Sequence, residues 1–120
     1  MGKPGHTGGA RLARAFVYAL RGLEAALRHE LAFRVEVACA VVAVPLGIAL
    51  GNTGVERALL VATALLVPAI ELVNAAIEAA VDRIGDEHHP LSARAKDMGA
   101  AALLVALAIA GATWVLVLLG

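Results

Sequence analysis

Aromatic side chains make up only 3% of this 120-residue sequence, charged side chains only 17%, and there is one cysteine. Each scarcity excludes something. Cys39 has no second thiol for an internal disulfide, and within an apolar stretch it reads as a small buried hydrophobe. The formal net charge is zero, which argues against nucleic acid as the main partner. With so few aromatics, the apolar mass is Ala, Leu and Val, which lets helices approach closely inside a bilayer. What is present is hydrophobicity: 61% of residues, with a mean hydropathy of +0.84. A soluble domain of this size would expose too much of that surface to water, so the composition points to one small all-α membrane protein.

The opening "MGKPGHTGGA" is glycine-rich and without apolar periodicity, so residues 1–10 read as a flexible tail and not as a secretory signal. From Leu12 to Leu27 the large apolar side chains fall at 12, 16, 20, 23 and 27, a stripe about 80° wide. Arg11, Arg14, Tyr18, Arg21, Glu24 and Arg28 lie opposite. Residues 11–29 therefore read as a basic amphipathic helix lying along a membrane surface. Residues 30–120 carry three candidate spans, at about 31–50, 56–81 and 98–119, each meeting the roughly 20 residues that a bilayer core requires. Pro45 lies in the first and Pro68 in the second, and the third is uncharged. "GNTG" at 51–54 reads as a turn. "DRIGDEHHPLSARAKD" at 82–97 reads as a polar connection, helical for a turn or two before Gly85 and again from Leu91. Nine of the ten Lys and Arg residues precede or begin the first span or lie in 82–97, leaving Arg57 alone in the other turn. The positive-inside rule then puts the amino terminus and the 82–97 connection in the cytoplasm, on the side where ATP is found.

Glu71, Asn74, Glu78 and Asp82 interrupt the second span at i, i+3, i+7 and i+11, forming one polar edge about 80° wide. Facing lipid, that edge would cost several kcal/mol, so it must face protein, water or ligand. Glu71 lies deepest, about 16 Å along the axis from Asp82. Loss of hydration at that depth disfavours its charged form and makes it a candidate general base. Asn74 alone fits interhelical hydrogen bonding equally well. Glu30 and Arg34, taken alone, read as an ion pair one helical turn apart. Arg94, Lys96 and Asp97 stand just before the third span. Carboxylates at the mouths of two spans suit a hard cation such as Mg²⁺, and neighbouring Lys and Arg suit phosphate. The combination points to phosphoryl transfer. His88 and His89, beside Pro90, read as loop residues, with no spacing for zinc. The glycine-rich GxxxxGK[ST] loop and the HRD and DFG motifs of soluble enzymes are all missing.

"ELVNAAIEAAVDRIG", followed by "LSARAKDMGAAA", closely resembles the prokaryotic integral-membrane diacylglycerol kinase family, whose signature has the form E-[LIV]-x-N-[ST/A]-A-I-E-x-x-V-D. The resemblance runs from about Arg11 to Trp114 and includes "GLEAALRHELAFRVE". It implies a homotrimeric bacterial inner-membrane enzyme that uses Mg²⁺ and ATP to convert diacylglycerol into phosphatidic acid, with sites drawing on neighbouring subunits. It also implies residue roles. Glu71 would be the base for the lipid hydroxyl, with Asn74 and Lys96 supporting catalysis, and Glu30 and Glu78 would bind the metal that accompanies ATP. Arg11, Tyr18, Glu87, His88, His89, Lys96 and Asp97 would contact nucleotide. Arg11, Glu36, Arg57 and Trp114 are further candidate contacts to the lipid.

Two departures stand out: Leu20 replaces a common Trp, and "EHHPLS" lacks the usual tyrosine. His-Pro is similar to the undecaprenol kinase branch, whereas Arg83, Gly85 and Arg94 keep the diacylglycerol pattern. A polyprenol substrate, a small proton-coupled transporter and a non-catalytic assembly protein remain the rival readings.

Overall fold

The computed structural model describes residues 8–85 and 88–120, which form four helices. They are α1 (Gly8–His29), α2 (Leu31–Leu50), α3 (Gly54–Ile84) and α4 (Pro90–Leu119).

Local chemistry sets the boundaries. Thr53 caps α3: its Oγ1 accepts from the Glu56 N–H at 3.1 Å, while Glu56 Oε1 accepts from the Asn52 N–H at 2.9 Å. α4 starts on Pro90, which has no N–H to leave unpaired, and His89 Nδ1 accepts from the Leu91 N–H at 3.0 Å. Only Glu30, in an extended conformation, separates α1 from α2. The Arg34 guanidinium closes this elbow, its Nη1 donating to the Leu27 and Arg28 carbonyls at 2.9 and 3.1 Å.

Two boundaries differ from the sequence reading. α1 begins at Gly8, so residues 8–10 are helical and not tail, because first-turn N–H groups need no intrahelical acceptor and Ala10 favours helix. Residues 1–7 lie outside the described residues. α3 begins at Gly54, two residues before the expected span, because Thr53 supplies its cap. Within 82–97 the helix runs to Ile84, as expected before Gly85, and α4 resumes at Pro90, one residue ahead of the expected Leu91. Neither proline breaks its helix: α2 is continuous through Pro45 and α3 through Pro68.

α3 is the central element, packed against both α2 and α4, with α1 resting on α2 and α3. The buried residues of α2 recur every seventh position at Phe33, Ala40 and Gly47, and those of α4 at Gly99 and Ala106. These small-residue seams allow close approach. A Cβ on Gly47 would lie 2.9 Å from Leu60 Cβ. Trp114 Nε1 ties α4 to the same turn of α3 by donating to the Leu60 carbonyl at 3.2 Å.

α2, α3 and α4 are long and apolar enough to cross a membrane, with mean hydropathies of 2.0, 2.0 and 2.6 in their most apolar windows. Two antiparallel turns follow, so the α1–α2 elbow and the 85–89 connection lie at one end of the bundle and residues 51–53 at the other. The apolar stripe of α1 (Leu12, Phe16, Leu20, Leu23 and Leu27) remains exposed, as a surface helix requires. Cys39 is exposed as well, and not buried as its apolar neighbourhood implied, because it falls beside the Phe33–Ala40–Gly47 seam rather than on it.

Gly47→Val should force Leu60 and the α2–α3 seam apart and cost about 1–3 kcal/mol. The check is the thermal unfolding midpoint in micelles, which should fall, whereas Val at the exposed Gly22 should leave it nearly unchanged.

Candidate active site

The 71–74–78–82 spacing puts four polar side chains along one edge of α3, and packing decides what each of them meets. Glu71 is 3% exposed and Asn74 7% exposed, Glu78 is half-buried and Asp82 is exposed. The deep end of the edge is thus turned into the α2–α3–α4 packing and away from lipid, and its mouth opens at the elbow end of the bundle.

Glu36 lies on α2 between the buried seam positions Phe33 and Ala40. Its Oε2 is buried without a hydrogen-bond partner. Asn74 Oδ1, also buried and unpartnered, rests on Gly99 of α4, where a Cβ would overlap it.

Two openings adjoin this edge. One is a polar cleft of about 360 Å³ whose lining includes Asp82, Gly85, His88, His89, Ser92 and Lys96. Within it Lys96 Nζ lies 2.7 Å from Asp82 Oδ1. The other is a largely apolar groove of about 690 Å³ between α1 and α3, lined by small residues such as Ala26, Ala75 and Ala79, with His29 and Glu30 on its wall.

The expected Glu30–Arg34 ion pair does not form. The Leu27 and Arg28 carbonyls at the end of α1 have no intrahelical donors, and they take the guanidinium instead. Among the described residues, the ion pairs are Arg28–Glu24 and Lys96–Asp82, so the Glu30 and Glu78 carboxylates are in no direct ion pair. No group of three or more acidic, His or Cys side chains among the described residues forms a metal cage. Two carboxylates outside any ion pair and without a cage fit Mg²⁺ that arrives with phosphates, since that ion commonly takes one or two carboxylates plus phosphate oxygens.

Other candidates fall elsewhere. Arg57 Nε donates to the Ile48 carbonyl at 3.2 Å and the side chain packs on Gly51, capping α2 at the far end of the bundle. It stands about 21 Å along α3 from Glu71. Trp114 is engaged at Leu60, about 16 Å along α3 from Glu71. Both side chains therefore tie helices together at that end and do not join the acids. Arg11 and Tyr18 are exposed on α1, where Tyr18 carries the Arg21 guanidinium 5.8 Å from its ring centroid. Asp97 is exposed on α4. Glu87 lies outside the described residues. His89 lines the cleft while its Nδ1 caps α4, so the His-Pro pair has a local structural cause. Sequence reasoning missed Gly99 and the pairing of Asp82 with Lys96. A glycine one residue beyond Met98 in an uncharged span was the available signal for the first.

These features define a class: a small helical membrane protein with a buried acidic edge running between an apolar groove and a polar, lysine-bearing cleft. Known proteins give that class a family. Residues 17–118 match the family described as prokaryotic diacylglycerol kinase. The chain is 49% identical over 116 residues to the diacylglycerol kinase of Pseudomonas aeruginosa, covering 97% of this chain and 94% of that one. It is 46% identical over 112 residues to that of Escherichia coli (strain K12), covering 93% and 92%. With that of Haemophilus influenzae it shares 46% identity over 108 residues, covering 90% and 92%. The chain belongs to the prokaryotic diacylglycerol kinase family.

Because Gly99 seats Asn74, the two positions should be coupled. Gly99→Ala should destabilise the bundle by about 1–3 kcal/mol, and less so in an Asn74→Ala background. A double-mutant cycle on unfolding free energy reads the difference, and strict additivity would contradict the contact.

Proposed function

We propose that this protein transfers the γ-phosphoryl group of ATP to the primary hydroxyl of diacylglycerol, giving phosphatidic acid and ADP. Alongside the family, the observation that carries this reading is Glu71. It is a carboxyl buried at membrane depth on an edge that leads from the apolar groove to the Lys96 cleft. In the proposed reaction the lipid oxygen bonds to the γ-phosphorus as the bond to the β–γ bridging oxygen breaks, and Glu71 takes the hydroxyl proton. Lys96, held by Asp82, offsets charge on the phosphoryl oxygens. Asn74 supports the edge beside Glu71. Glu30 and Glu78 would hold Mg²⁺, which would supply charge neutralisation at the phosphates. His88, His89 and the exposed Asp97 are proposed nucleotide contacts, together with Glu87, Arg11 and Tyr18. The groove between α1 and α3 suits acyl chains, its walls being mainly alanine and leucine.

The reading extends to assembly and location. The concentration of basic residues around α1 and the 85–89 connection favours a cytoplasmic amino terminus in a bacterial inner membrane. A homotrimer would let Arg11 and Tyr18, exposed on α1, serve the cleft of a neighbour. The polyprenol alternative loses its motive, since His89-Pro90 is accounted for by helix capping.

Purified protein in mixed micelles with Mg-ATP and diacylglycerol should release ADP in a lipid-dependent way. Glu71→Gln should lower kcat about 10³-fold while keeping helical circular dichroism. Diacylglycerol should outcompete a polyprenol. Proton flux without ATP turnover would contradict the reading and favour a transporter.

A further inference from the structure

α1 has little of its own to hold its direction. Ala26 is its buried residue among those described, and its apolar stripe faces outward. The Arg28–Glu24 ion pair and the Arg21–Tyr18 contact both lie within the helix. A membrane surface fixes the depth of such a helix and the face it presents, but not its bearing in the plane. The bearing must be set at the elbow. There Glu30 alone separates α1 from α2, in an extended conformation and with no side-chain capping bond. Its N–H takes the Ala26 carbonyl at 2.9 Å. The next two carbonyls, of Leu27 and Arg28, both accept from Arg34 Nη1, at 2.9 and 3.1 Å. These carbonyls form the negative end of the α1 dipole, which favours a cation. Arg34 itself stands in the first turn of α2, where a cation works against that helix's own dipole. Its position is therefore explained by α1.

We propose that Arg34 is the clamp that holds α1 over the groove of about 690 Å³, and is thereby the positioning residue for the lipid. One wall of the groove includes Ala19, Gly22 and Ala26 of α1, and the other Ala75, Ala76 and Ala79 of α3. Such short side chains cannot reach across to follow a helix that swings. A turn of about 10° at the elbow would carry Ala19, about 16 Å away, through about 3 Å. That is most of a carbon–carbon contact distance of about 3.5–4.0 Å. The clamp stands apart from catalysis; only its effect on turnover rests on the reading of this groove as the seat of the acyl chains.

The clamp is tested without turnover by nitroxide labels at Ala13→Cys on α1 and Ala80→Cys on α3. They are placed in a Cys39→Ala chain diluted with unlabelled protein in bilayers. Pulsed electron paramagnetic resonance should give one narrow distance distribution, which broadens in Arg34→Ala. Because Arg34 is exposed, helical circular dichroism should be retained. Since one nitrogen serves both carbonyls, the ammonium of Arg34→Lys can replace it and should keep the distribution narrow. In the kinase assay Arg34→Ala should raise KM for diacylglycerol about tenfold and leave kcat at saturating lipid within about twofold, with Arg34→Lys near the wild type. A distribution as narrow in Arg34→Ala as in the wild type, or as broad in Arg34→Lys as in Arg34→Ala, would overturn the proposal. If the distances broaden as expected while KM for the lipid stays unchanged, the clamp stands and the reading of the groove as the lipid seat falls.

Discussion

Carboxyl groups cannot rest in hydrocarbon, and this constraint organises the molecule. α3 carries Glu71 and Asn74 well inside a stretch that must cross the bilayer, and both are almost wholly covered by protein. Each would cost several kcal/mol against lipid. α3 therefore sits in the middle, with α2 and α4 on either side, and the peripheral helices leave their large apolar side chains facing outward.

The small-residue seams follow from the same requirement. In a bilayer, helices gain nothing from hiding leucine from lipid, so close packing must come from shape and from polar contacts. Phe33, Ala40 and Gly47 taper along α2, so the helix comes into close contact with Leu60 at its Gly47 end. Gly99 does for Asn74 what Gly47 does for Leu60. Arg57 and Trp114, at the far end, donate to backbone carbonyls and hold the helices there, while the mouth of the acidic edge opens at the elbow end.

Much of this was legible in the sequence, because the relevant signals have short periods. The amphipathic stripe of α1, the three apolar runs and the 71–74–78–82 edge all depend on spacing along one helix, and the structure keeps them. The elements that were not legible depend on competition between partners distant in space. Arg34 lies one turn from Glu30 and reads as its ion partner, yet the uncapped carbonyls of Leu27 and Arg28 win it. The hydrogen bonds of Arg57 to the Ile48 carbonyl and of Trp114 to the Leu60 carbonyl also join residues on different helices. The burial of Glu36 Oε2 and the seat of Asn74 on Gly99 likewise required knowing which helix faces which.

Everything the protein does at its deep acidic edge depends on the direction in which that edge points. Nitroxide labels introduced singly at residues 70 to 76 of a Cys39→Ala chain in bilayers would report it through their collision rates with oxygen, which concentrates in lipid. The structure predicts low rates at 71, 74 and 75 and high rates at 73 and 76, following the helical period. High oxygen accessibility at 71 and 74 would put the carboxyl among acyl chains and contradict the packing on which every other conclusion depends.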